Sequence, residues 1–135
     1  MGLAFNYNST IRDFDWETVN QEIEMFCLQN AVPAAKVFSV QLVIEELVTN
    51  IIKYGKCADG NEMIKIEAAI HDDRINLTIS DNTAAFNPLD TKTPDTELPI
   101  EERNIGGLGL VLVKQKTKAI SYEYVKGLNI VKAEL

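Results

Sequence analysis

The sequence is poorest in the residues that build metal and thiol chemistry. Its 135 residues hold one histidine, His71, and two cysteines, Cys27 and Cys57. So sparse a set excludes a spaced Cys/His zinc site and a Cys–His–Asn nucleophile, and the cysteines read as a half-buried helix residue and a loop thiol. Positive charge is short as well. Thirteen Lys and Arg against twenty Asp and Glu leave a net charge of −7, and no block of Lys or Arg stands anywhere. The electrostatic footprint for a phosphate backbone or an anionic membrane is therefore missing, which argues against direct nucleic-acid and lipid partners. Long hydrophobic runs are missing too. The longest, Val37 to Ile52, is broken by Gln41, Glu45 and Glu46, and the first positive side chain is Arg12, so neither a membrane span nor a signal peptide is expected. Asn6 stands where myristoylation needs Ser or Thr. A cytoplasmic protein is the expectation.

What is present suits one domain over residues 1–135, with 46% hydrophobic and 24% charged residues and enough chain to bury a core. No repeat and no low-complexity segment interrupts it. Leu3 to Tyr7 alternates weakly, as a first strand would. Asp13 is a good N-cap for a helix carrying Trp16, Val19, Ile23 and Phe26 on one face and ending near Asn30. Pro33 suits the first turn of a second helix, whose apolar face runs Val37, Val40, Ile44, Leu47, Ile51 and Tyr54 until Gly55 stops it. Ile64, Ile66, Ala68 and Ile70, then Ile75, Leu77 and Ile79, alternate on either side of His71-Asp72-Asp73-Arg74, predicting a hairpin with His71 at its turn.

Asn82 to Ile105 carries Pro88, Pro94 and Pro99 with few paired apolar residues, and reads as a lid loop over residues 82–105. Gly106-Gly107-Leu108-Gly109 opens a third helix running to about Lys118, with Lys114, Lys116 and Lys118 in its last turn. Strands Ala119 to Val125 and Leu128 to Leu135 meet at Lys126-Gly127. This order predicts an α/β two-layer sandwich, with a mixed, mainly antiparallel sheet covered on one face by helices.

Three places carry polar residues suited to chemistry. On the second helix Glu46 and Asn50 lie one turn apart and point within about 40° of each other, whereas Glu45 lies about 140° from Asn50. An amide oxygen suits a hard Mg²⁺ ion and a carboxylate suits a proton acceptor, although a solvated helix face also explains this spacing. Asp81 ends a strand, where a carboxylate can accept from an exocyclic amine or simply begin a turn. Three glycines at the start of the third helix let backbone N–H groups approach an anion, or serve packing alone. Neither GxGxxG after a strand nor GxxxxGK[ST] is present, so Rossmann and Walker readings fail.

Taken in order, Glu46-Leu-Val-Thr-Asn50, Asp81-Asn-Thr-Ala-Ala-Phe86-Asn-Pro88, the proline-punctuated segment and Gly106-Gly-Leu-Gly-Leu110 resemble the GHKL (Bergerat-type), or histidine-kinase-like, ATPase domain. Within it they resemble the small anti-sigma-factor serine kinases, over roughly residues 30–135. The resemblance implies ATP and Mg²⁺ as cofactors. Asn50 then matches the metal-ligating Asn, Glu46 the catalytic base and Asp81 the adenine-reading Asp. Gly106, Gly107 and Gly109, with Leu108 between them, match the segment around the phosphates. It also implies transfer of the γ-phosphoryl group to a serine of a small anti-sigma-antagonist (STAS-type) protein, binding of a sigma factor, and a homodimer.

Two positions depart from the pattern. Thr83 stands two residues after Asp81 where the family usually has Gly, and its branched Cβ should crowd the backbone beside the purine. Tyr54 stands where the family's helix often has His. The lone His71, in a turn, is not expected to accept phosphate. An ATP-binding sensing module that acts by docking, and an ATPase acting on a small molecule, are the other readings.

Overall fold

A computed structural model describes residues 4–55, 60–89 and 106–135. Residues 90–105 of the expected lid, and the Cys57 position, lie outside the described residues. Eight elements follow in order: β1 (Ala4–Thr10), α1 (Trp16–Gln29), α2 (Ala34–Tyr54), β2 (Met63–His71), β3 (Arg74–Asp81), α3 (Gly106–Lys116), β4 (Ala119–Val125) and β5 (Leu128–Glu134). The strands form one five-stranded sheet in the order β1-β2-β3-β5-β4. Each pairing is antiparallel, so the expected two-layer sandwich is present, with no parallel pair among the described strands.

Register follows from the period-2 pattern, because a slip of one residue would turn every apolar side chain to the wrong face. Ile64, Ile66 and Ala68 of β2 pair with Asp81, Ile79 and Leu77 of β3, and the apolar members of these pairs are buried under the helices. The opposite face is polar, with exposed ion pairs Lys65–Glu67 at 3.6 Å and Lys132–Glu123 at 3.8 Å, which contribute little to stability. Both hairpins turn in two residues. In the second, Lys126 and Gly127 both have positive φ, 52° and 81°, the backbone whose twist matches the flanking strands.

The helical layer packs on the other face. Val19, Ile23 and Phe26 of α1, Val40, Ile44, Leu47 and Ile51 of α2, and Leu110 and Val113 of α3 are all buried. Cys27, expected half-buried, is fully buried, and burial pushes its thiol pKa up. Tyr54 departs from its expected place on the core face and is 42% exposed. It stands on the last turn of α2, and its ring faces Phe86 at 6.2 Å instead.

The start of α1 also differs from expectation. Asp13 donates its backbone N–H to Thr10 Oγ1 and belongs to the turn leaving β1. The cap is Asp15, whose carboxylate accepts from the N–H groups of Glu17 and Thr18 and from the Thr18 hydroxyl at 2.8 Å. The Thr18 hydroxyl bond, with the backbone bonds, holds the Asp15 carboxyl below its ordinary 3.8. A carboxyl lowered in the folded state stabilises above its unfolded pKa, and that contribution is lost as the pH falls through the lowered value. Thermal melts should therefore show Asp15→Ala less stable than the unaltered protein near pH 7. The gap should narrow as the pH falls below about 4, and Asp15→Asn should keep most of the cap.

Candidate functional site

Most polar side chains of a folded domain reach water, so the informative ones are those that do not. Among the described residues the buried polar or charged side chains are Asn50, Asp81, Thr83 and Asn129. The first three were singled out from the sequence. Asn50 sits on α2, Asp81 and Thr83 at and just after the end of β3, and Asn129 on β5.

Glu46 stands where α2 meets α3. Glu46 is partly buried and Glu45 exposed, as the helical angle requires. The Glu46 carboxylate lies directly against Gly109: a Cβ built on Gly109 would overlap the carboxylate and come within 2.6 Å of its Cδ. Gly109 is therefore glycine at a helix–helix contact, where any side chain would displace Glu46. The carboxylate forms no ion pair or hydrogen bond among the described residues. One turn further, Asn50 is 7% exposed, and its side-chain amide takes part in none of the hydrogen bonds among them. No buried side-chain nitrogen or oxygen among the described residues lacks a partner, so the Asn50 amide atoms keep contact with the surface, where a ligand or metal can reach them.

The end of α2 meets the segment that follows β3. Gly55 lies against Thr83, and a Cβ there would stand 3.0 Å from Thr83 Cγ2 and 3.1 Å from its Oγ1. The branched side chain of Thr83 thus has its room where Gly55 lacks a side chain. Its hydroxyl donates to Asp81 Oδ1 at 2.6 Å and its backbone N–H to the same oxygen at 3.0 Å.

Asn129, on β5 directly across from Asp81 in register, completes the arrangement and was missed from the sequence. Its Nδ2 donates to Asp81 Oδ1 at 2.9 Å, to the Thr83 carbonyl at 3.2 Å and to the Ala84 carbonyl at 3.1 Å. Its Oδ1 accepts from the Phe86 N–H at 2.9 Å and the Tyr122 hydroxyl at 2.7 Å. Burial, with a contribution from the Asp81 charge and against the Phe86 backbone bond, pushes the Tyr122 phenol pKa up, so it remains a donor. A period-2 reading of Asn129, Val131, Ala133 and Leu135 would have placed this asparagine on the buried face, which is the signal that could have found it.

Gly106 and Gly107 open α3 as expected, followed by Leu108 and Gly109. Helix N-terminal N–H groups favour an anion. The described residues hold no group of three or more His, Cys, Asp or Glu side chains arranged to bind a metal. A metal here would thus take Asn50 together with oxygens from a ligand. No helix among the described residues is long and apolar enough to cross a membrane.

The chain is similar to several known proteins. A serine-protein kinase RsbW from Listeria monocytogenes is 27% identical over 97 residues, covering 68% of this chain and 61% of the relative. A serine/threonine-protein kinase BtrW from Bordetella bronchiseptica is 25% identical over 107 residues, covering 79% and 75%. The chain thus spans about three-fifths of the length of the Listeria relative. Among solved structures, the RsbU and RsbW domains of a Mycobacterium tuberculosis protein share the fold with a TM-score of 0.64 at 14% identity, covering 99% of this chain and 32% of that one. SiaB, solved in complex with SiaC from Pseudomonas aeruginosa, gives 0.59 at 15%, covering 96% and 88%. The family model described as the histidine kinase-like ATPase domain matches residues 13–135, which take in all three helices and every strand but β1, and the chain belongs to that family.

Proposed function

We propose that this protein is an ATP–Mg²⁺-dependent protein serine/threonine kinase of the anti-sigma-factor type, working in the cytoplasm. The observation that carries this is the burial of Asn50, Asp81 and Thr83, together with a Glu46 carboxylate, one turn before Asn50, that has no partner of its own among the described residues. The RsbW and BtrW relatives, each named a kinase, support it. A serine of a small STAS-type antagonist is the substrate that the resemblance implies. A sigma factor as second partner and a homodimeric state come from the same resemblance.

In this reading the chain positions and neutralises more than it reacts. Asp81 accepts from the exocyclic amine of adenine. The N–H groups opening α3 face the phosphates. Asn50 supplies an oxygen to Mg²⁺, which when bound offsets charge on the β- and γ-phosphates. The substrate serine Oγ attacks the γ-phosphorus, the bond from that phosphorus to the bridging oxygen breaks, ADP leaves, and the serine proton passes to Glu46. Gly109 admits the Glu46 carboxylate to the place where it does this.

Three measurements check the assignment. Glu46→Gln should leave ATP affinity nearly unchanged and lower transfer to an antagonist protein by about 10²–10⁴-fold, with Glu45→Gln close to the unaltered rate. An unaltered protein that binds ATP and phosphorylates no partner would point instead to a sensing module that acts by docking. Calorimetry should find ATP binding strengthened by Mg²⁺, and Asn50→Ala should remove that difference while leaving metal-free binding in place. Gly109→Ala should displace Glu46 and slow transfer by about 10²-fold, with ATP affinity held. If affinity falls in step with the rate, Gly109 serves the phosphates and not Glu46.

A further inference from the structure

Asp81 has two carboxylate oxygens, and the protein uses them unequally. The Thr83 N–H, the Thr83 hydroxyl and Asn129 Nδ2 all donate to Oδ1, at 3.0, 2.6 and 2.9 Å. Every hydrogen bond that this carboxylate accepts among the described residues falls on that oxygen. Oδ2 is the oxygen left to accept from anything outside the chain.

The arrangement is held from β5. The Asn129 amide can point only one way, because its oxygen faces two donors, the Phe86 N–H and the Tyr122 hydroxyl, while its nitrogen faces Asp81 and the carbonyls of Thr83 and Ala84. A flipped amide would set N–H against N–H and oxygen against oxygen. Asn129 is 2% exposed, and so reaches a ligand only through the groups it holds.

We propose that Asn129 is a positioning residue that locks Asp81 Oδ1 inward, presents Oδ2 to the base of a bound nucleotide, and so sets selectivity for a 6-aminopurine over a 6-oxopurine. This rests on the base-reading role proposed above for Asp81. A lone acceptor suits the amino group at purine position 6 and meets the oxygen of a 6-oxopurine unfavourably. The lock has a second consequence. In Asp81→Asn the inner position still faces three donors, so the amide oxygen must take it and the NH₂ group is forced outward, where it donates to a 6-oxo group. Without Asn129 the side chain at 81 loses one of the donors that orients it, and the oxygens at Thr83 and Ala84 lose the donor that anchors their loop.

ATP and ITP differ only at purine position 6, so their affinity ratio reads this contact and is insensitive to a general loss of stability. Calorimetry of the full chain with ATP and with ITP, both with Mg²⁺, should give the unaltered protein a preference for ATP of about 10-fold or more. Asp81→Asn should reverse the preference to ITP. Asn129→Ala, with its fold checked by circular dichroism, should bring the two affinities within about 3-fold of each other. A folded Asn129→Ala that keeps the unaltered ratio overturns the proposal. So does an Asp81→Asn protein that shows no preference or still prefers ATP, and this variant decides alone if Asn129→Ala does not fold. Equal affinities in the unaltered protein would overturn the base-reading role of Asp81 itself, and the proposal with it. A normal ratio that survives only in Asn129→Ala removes Asn129 and leaves Asp81 standing.

Discussion

The structure depends on the burial of one face of α2 against the antiparallel sheet. Val40, Val43, Ile44, Leu47, Val48 and Ile51 are each no more than 2% exposed, and full burial of such a side chain contributes about 1.5–3 kcal/mol. That apolar face fixes the rotation of the helix about its axis. Once the rotation is fixed, Glu46 and Asn50 must stand at the border of the core, and Glu45 must face water. The helix that carries the core therefore also sets where the polar residues leave its backbone.

Around that helix, small residues mark where other elements come close. Gly109 lets α3 approach the Glu46 carboxylate, and Gly55 lets the end of α2 approach Thr83. The two contacts bring α2 against α3 and against the segment that follows β3. They also give the glycine at 109 a packing reason that stands beside any role its backbone has toward an anion. Thr83, in the place where the family usually has glycine, has its side chain between Gly55 and Asp81, so one small residue facing another position makes room for the larger one.

The polar cluster around Asp81 is held differently. Asp81, Thr83 and Asn129 are buried and bonded to one another, and a buried network of this kind stabilises only when each member is satisfied. Among the described residues no buried side-chain nitrogen or oxygen lacks a partner. Bonded in this way, the three side chains hold one another in place.

Local periodicity was enough to read the first hairpin and the long helix, because spacings of two and of three or four are properties of neighbouring residues, and glycines marked the second hairpin's turn and the opening of α3. The same spacing separated Glu46 from Glu45, and the order of the polar blocks pointed to the family. Capping was legible in kind but not in place: Asp13 and Asp15 are equally good caps on paper, and the Thr10 hydroxyl bond to the Asp13 N–H, set by how the chain leaves β1, leaves Asp15 as the cap. The pressing of Glu46 on Gly109, the turning of Thr83 toward Gly55 and the bond from Asn129 to Asp81 across 48 residues were decided only in three dimensions. Each joins groups whose separation along the chain carries no information about their distance in space. That distance is set by how α2, α3 and the two hairpins pack on one another.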